Sequence, residues 1–199
     1  QAENAVKQAH SAGLPTFNLD LMHGLPDQSV ENAMADLKQG IELTPYHLSW
    51  YQLTIEPNTP FYSKPPELPD DDILWEIQEK GPSLLERAGY HQYEISGYAK
   101  AGHQCRHNLN YWRFGDYLGI GCGAHGKITD AANGTIHRTV KVKHPRGYME
   151  MSRPYLDTQT LVSADDLPFE FFMNRFRLVE PCPMSDFSDF TGTELTDDV

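Results

Sequence analysis

Residues 16–53 constrain the fold most. In TFNLDLM (16–22), Phe17, Leu19 and Leu21 fall on one face and Thr16, Asn18 and Asp20 on the other, which is the period of a strand. Gly24 to Gln28 (GLPDQ) then reads as a turn, and Ser29 is placed to cap a helix. Val30, Met34, Leu37 and Ile41 follow at helical spacing, and Pro45 stops that helix before a second strand in HLSWYQL (47–53). Strand, crossover helix, strand is the unit of parallel α/β sheets and barrels. In a barrel the apolar face of the first strand packs outward on helices, and Asn18 and Asp20 point inward near the strand's C-terminal end, where barrel sites lie.

Downstream the pattern changes. Glu56 to Pro69 is a Pro-rich connection, followed by a helix from about Asp70 to Ala88 whose core face is Ile73, Leu74, Ile77, Leu84 and Leu85. Gly81-Pro82 should kink or split this helix, since an interior proline costs ~3 kcal/mol or more. The run Asp70-Asp71-Asp72 reads as its solvated start. Alternation predicts strands over 91–98 and about 136–142, and 169–178 predicts a short amphipathic helix. The second half is therefore α+β, with a boundary near 56–69. The first residues read as the interior of a helix, and Phe187 and Phe190 near the other end as the opening of a further module. The sequence is thus expected to be part of a longer protein.

The net charge of −12 argues against general nucleic-acid binding, which needs clustered Lys and Arg. No apolar stretch approaches the ~20 residues of a membrane span. Cys105, Cys122 and Cys182 form no CxxC pair, so a reducing, cytoplasmic setting is expected.

Chemistry-bearing residues concentrate between His103 and Gly126. Gly121 to Gly126 matches G-x-G-x-x-G, but KITDAANGTIH follows where a dinucleotide fold needs a helix, so that reading is rejected. The alternating Gly119, Gly121 and Gly123 instead predict a short strand with one bare face. His103, Cys105 and His107 alternate as H-x-C-x-H, with Cys122 and His125 further on, which suits a zinc-binding interaction module if the segment is extended. In HNLNYW, His107 precedes Tyr111 and Trp112, and an imidazole beside flat aromatic walls also suits a porphyrin. Asp20, at a strand end beside a glycine turn, could accept from a ribose diol, hold a cation or simply cap a loop.

Three long segments carry a family resemblance: NLDLMHGLPDQ (Asn18 to Gln28), HLSWYQLTIEPNTPFY (His47 to Tyr62) and RHNLNYWRFGDYLGIGCGAHGK (Arg106 to Lys127). Together they resemble the radical SAM family of oxygen-independent coproporphyrinogen III oxidases and, within it, the heme-chaperone branch. The resemblance implies an α/β fold. The C-terminal strands of a partial (βα)6 barrel occupy 1–62, an α+β domain 63–180, and the start of a further module 181–199. It also implies a 4Fe-4S cluster and S-adenosylmethionine in the full-length protein, the cluster on a CxxxCxxC loop that this sequence lacks. The segment alone is expected to hold no cluster and to be inactive. Asp20, Thr54 and His125 match positions near S-adenosylmethionine. His107, Asn108, Tyr111 and Trp112 match the HNxxYW motif that the chaperone branch is thought to use for heme, with His107 the candidate iron ligand. The implied partners are heme and heme-accepting respiratory enzymes at the membrane; separately, the edge strand left unpaired in half a barrel is expected to be covered by a second copy. The oxidase branch implies instead a 5′-deoxyadenosyl radical that abstracts hydrogen from propionate side chains before decarboxylation.

Overall fold

The computed structural model describes residues 2–150 and 152–195, and its contacts divide the chain into two compact units, Gln1–Cys105 and Arg106–Val199. The first unit contains α1 (Ala2–Ser11), β1 (Asn18–His23), α2 (Val30–Glu42), β2 (His47–Gln52), α3 (Pro60–Ser63), α4 (Asp71–Arg87), β3 (His91–Gln92) and β4 (Gly97–Ala99). β1 and β2 pair in parallel, Asn18 beside His47 through His23 beside Gln52, in a sheet of order β1-β2-β4-β3. The expected strand–helix–strand unit is present. Ser29 Oγ accepts from the Asn32 N–H at the head of α2, as its position predicted.

One face of the sheet is the core. Leu48 and Trp50 are buried with Val30, Ala33 and Leu37 of α2 and Ile77 and Leu85 of α4, and Leu19 and Leu21 pack against them. The opposite face, carrying Asn18, Asp20 and Met22, is exposed along β1. By packing, α4 shares its core with the first two strands, whereas the family-based division separates them at 62/63.

Two expectations about this unit are corrected. The Gly81-Pro82 pair does not split α4, which runs unbroken from Asp71 to Arg87. Gly81 lets the helix lie directly on the Trp50 indole, and that burial offsets the hydrogen bond Pro82 cannot make. The strand expected over 91–98 is a tight hairpin of β3 and β4. Glu94 turns the chain there, its Oε1 accepting from the N–H and hydroxyl of Ser96.

The second unit contains α5 (Arg106–Trp112), β5 (His125–Asp130), β6 (Thr135–Lys141), α6 (Pro145–Tyr148), β7 (Leu156–Leu161), α7 (Leu167–Arg175) and α8 (Met184–Thr191). β5, β6 and β7 form an antiparallel sheet in that order. Phe114, Ile136, Leu167, Phe171 and Phe187 form its core, so α8 is packed into this unit. The buried Arg175 secures that corner by donating to Asp186 Oδ2 and to the Pro181 carbonyl at 2.6 Å.

The glycine strand expected around 119–123 is also corrected. Residues 118–124 form a loop and turn, with φ of 107° at Gly121 and 69° at Gly123, values that suit glycine and break a strand. Gly119 lies so close to the His125 carbonyl that a Cβ would sit 2.4 Å from its oxygen. The segment does admit a close backbone approach, although as a loop.

His23 carries a pH prediction. It is 1% exposed, lies against Trp50 with ring centroids 4.2 Å apart, and its Nδ1 has no hydrogen-bond partner among the described residues. Burial pushes its pKa down to about 4, whereas the unfolded chain titrates near 6.5. Its contribution is therefore complete above pH 6.5 and is lost as pH falls toward 4, by about 3 kcal/mol in all. Buried His47, whose pKa is also lowered by burial, adds in the same direction. Urea unfolding at pH 7 and pH 4.5 should show this slope, and His23→Phe should flatten it. An unchanged slope in that variant would remove His23 as its source.

Candidate functional site

The polar side of β1 and β2 is built by register. Asn18 lies opposite His47 and Asp20 opposite Ser49, so four polar side chains share one face. Asn18 Nδ2 donates to Asp20 Oδ1 at 2.9 Å. Asn18 Oδ1 meets His47 Nδ1 at 2.6 Å and also accepts from Ser49 Oγ at 3.2 Å. His47 Nε2 meets the Tyr93 hydroxyl at 2.7 Å, and that oxygen accepts from the Cys105 N–H. His47 and Tyr93 are buried while Asp20 is exposed, so a rigid polar network ends on an accessible carboxylate.

Thr54 lies just beyond β2, exposed, with its hydroxyl donating to Glu56 Oε1 at 2.8 Å. Asp20 and Thr54 thus belong to the first unit. His125 belongs to the second, exposed at the start of β5 opposite Val140. Sequence reading singled out Asp20 and Asn18 but missed His47 and Tyr93. The signal available for His47 was its place at a strand start, two residues before Ser49 on the same face.

HNLNYW is helical, which removes the premise of the zinc reading. α5 begins at Arg106, so His103, Cys105 and His107 do not alternate along one strand. Among the described residues no group of three or more His, Cys, Asp or Glu side chains could hold a metal ion. His103 stacks instead on Tyr46, with ring centroids 4.1 Å apart. Cys105, Cys122 and Cys182 are well separated in sequence and form no CxxC pair, a poor fit to an iron–sulfur cluster.

On α5, His107 and Tyr111 are one helical turn apart, with rings edge to face at 4.6 Å. Tyr117 adds a second ring 4.3 Å from Tyr111. His107 is exposed, so its imidazole is accessible to a ligand. Trp112 is engaged elsewhere: Arg177 covers its ring at 4.3 Å and its Nε1 is buried. The structure therefore brings His107 and Tyr111 together and turns Trp112 to another neighbour. Leu118 and Ile120, 75% and 84% exposed, give the following loop an apolar surface.

No family model matches the sequence. Among curated proteins, it is 63% identical over all 199 residues to the heme chaperone HemW of Escherichia coli K12, covering 51% of that protein. Over its whole length the chain is similar in sequence to HemW proteins. It is 62% identical to the Haemophilus influenzae HemW over 96% of the chain and 49% of that protein. It thus spans about half the length of the HemW relatives it matches. A solved structure of HemN, the coproporphyrinogen III oxidase of Escherichia coli described as a radical SAM enzyme, matches 96% of the chain and 47% of its own. The TM-score is 0.74 at 18% identity. The chain therefore shares an α/β fold with about half of the HemN structure and is similar in sequence to HemW.

Proposed function

We propose that this chain is the heme-contacting part of a radical SAM heme chaperone, with His107 on α5 as the heme ligand. The accessible His107 imidazole, in a chain 63% identical to a heme chaperone, carries the reading. Tyr111 and the apolar loop of Leu118 and Ile120 supply flat and apolar contact of the kind a porphyrin needs. Asn108 follows His107 on α5, whereas Trp112 is covered by Arg177.

Asp20 and Thr54, both in the first unit, would contact S-adenosylmethionine. Asp20 fits that role because only Oδ1 is engaged by Asn18, leaving Oδ2 to accept from a ribose diol. The 4Fe-4S cluster that accompanies this cofactor would need ligands this sequence does not contain. When bound, cluster and cofactor supply one-electron chemistry; the present residues supply binding and orientation. The natural recipients of heme would be respiratory enzymes. Three cysteines with no CxxC pair suit a reducing compartment such as the cytoplasm, and among the described residues no helix is long and apolar enough to cross a membrane.

Heme titration of the full-length protein tests the proposal. A Soret shift is expected, and His107→Ala should weaken binding about tenfold or more, as loss of an axial ligand implies. Unchanged binding would remove His107 from the site. The HemN fold favours coproporphyrinogen oxidation as the second reading. Decarboxylation of coproporphyrinogen by the reconstituted protein would establish it.

A further inference from the structure

We infer that His47 is a positioning residue that holds the Asp20 carboxylate in place through the Asn18 amide. The inference rests on reading Asp20 as an S-adenosylmethionine contact.

The hydrogen bonds permit only one direction. Asp20 as a carboxylate can only accept, so the Asn18 amide must face it with nitrogen, at 2.9 Å. Asn18 Oδ1 is then the atom facing His47, and His47 Nδ1 must carry a hydrogen and donate at 2.6 Å. The other ring nitrogen, Nε2, is left as the acceptor of the Tyr93 hydroxyl at 2.7 Å. Tyr93 can donate there because its oxygen already accepts from the Cys105 N–H at 3.3 Å. Ser49 Oγ, donating to Asn18 Oδ1, fixes the same amide orientation from a second side. Every donor points toward Asp20.

This directionality has a function only if something at the end of it must be held. Asn18 is exposed, and an exposed amide would ordinarily rotate between its two orientations. Here the buried ring of His47 prevents that, and the ring is itself set edge to face against Tyr93 at 5.6 Å. Burial lowers the His47 pKa against the opposing pull of Asp20, which favours the neutral ring near neutral pH, and the hydrogen bonds to Asn18 and Tyr93 set its tautomer. The consequence is a carboxylate with Oδ1 committed to Asn18 and Oδ2 presented in a fixed direction. A vicinal diol, which needs an acceptor at a set position, is recognised best by such a preorganised group.

Calorimetric titration of S-adenosylmethionine into the full-length, cluster-reconstituted protein tests this. Asp20→Asn should weaken binding about tenfold or more, since charge-assisted hydrogen bonds are the strong ones. His47→Phe keeps the ring and removes both hydrogen bonds, and should weaken binding about threefold to tenfold. Tyr93→Phe, a milder change that guards against a folding defect, should weaken it about twofold to threefold. In the Asp20→Asn background neither variant should weaken binding further, because both act through that carboxylate. Independently of ligand, the nitrogen chemical shifts of His47 should report the Nδ1–H tautomer, which the Asn18 amide also imposes in Tyr93→Phe. Equal weakening by His47→Phe with and without Asp20, or an Nε2–H tautomer, would overturn the inference alone. If Asp20→Asn binds S-adenosylmethionine normally, the underlying reading fails and the inference fails with it.

Discussion

Replacing Gly81 by alanine is expected to destabilise the protein by about 2–3 kcal/mol, the cost of overpacking a filled core. The direction is what makes the prediction informative. In an exposed helix the same change would gain about 1 kcal/mol, because alanine is the better helix former. At Gly81 the new Cβ would lie 1.8 Å from Cη2 of Trp50 and 2.2 Å from Cζ3. These are rigid ring atoms of a side chain only 3% exposed, held among Tyr98, His23 and Leu48. The indole cannot step aside without displacing that layer, so the strain is shared between α4 and β2. Urea unfolding of the variant checks the sign. Trp50→Phe should recover part of the loss in the double variant, since the smaller ring vacates the position the methyl would take. A more stable Gly81→Ala protein would mean that α4 does not lie on Trp50.

How much of this could be read from the sequence depends on how local the cause is. β1, α2 and β2 were readable because independent signals agreed: the two periods, Ser29 at the helix head and Pro45 at its end. The G-x-G-x-x-G match was correctly set aside because the residues after it do not form a helix; β5 follows it. H-x-C-x-H misled for the complementary reason. Alternation over five residues is a weak strand signal, and a seven-residue helix beginning at Arg106 leaves little period to detect. Glu94 and Gly97 likewise fold one apparent strand into a hairpin through contacts that no periodicity records. The roles given to Asp20, Thr54, His125 and the HNLNYW residues come from family resemblance and remain proposals. The network behind Asp20 was invisible because His47 and Tyr93 are 46 positions apart and meet only after β4 pairs with β2.

The two units use polar groups differently, and the difference separates function from stability. In the first, buried His47 and Tyr93 lead outward to an exposed carboxylate. In the second, a cation is taken inward. Lys127 is 2% exposed, and its ammonium donates to Asp116 Oδ1 at 2.9 Å and to Thr129 Oγ1 at 3.1 Å. It also lies 4.2 Å from the centre of the buried Phe114 ring. Burial pushes the Lys127 pKa down, opposed by the contact with Asp116. Burial raises the Asp116 pKa, but Lys127 and the two Thr129 donors outweigh it and hold the carboxyl below its usual range. In this network the hydrogen bonds of Asp116 are spent on Lys127 and Thr129 of the same unit.

Asp116→Asn is therefore expected to cost about 2–3 kcal/mol of stability, below the 3–5 kcal/mol of a fully buried pair because the Asp116 side chain is 42% exposed. The loss arises on the lysine side. The ammonium stays buried against Phe114 with its counter-charge gone, and Thr129 and the aromatic face do not replace a carboxylate. Lys127→Met should cost less than Asp116→Asn, since methionine fills much of the same space and Asp116 can turn to water. The double variant should be more stable than Asp116→Asn alone, because it removes the unpaired charge. A double-mutant cycle by chemical denaturation measures the coupling directly. Additive losses would show that Lys127 and Asp116 do not stabilise one another.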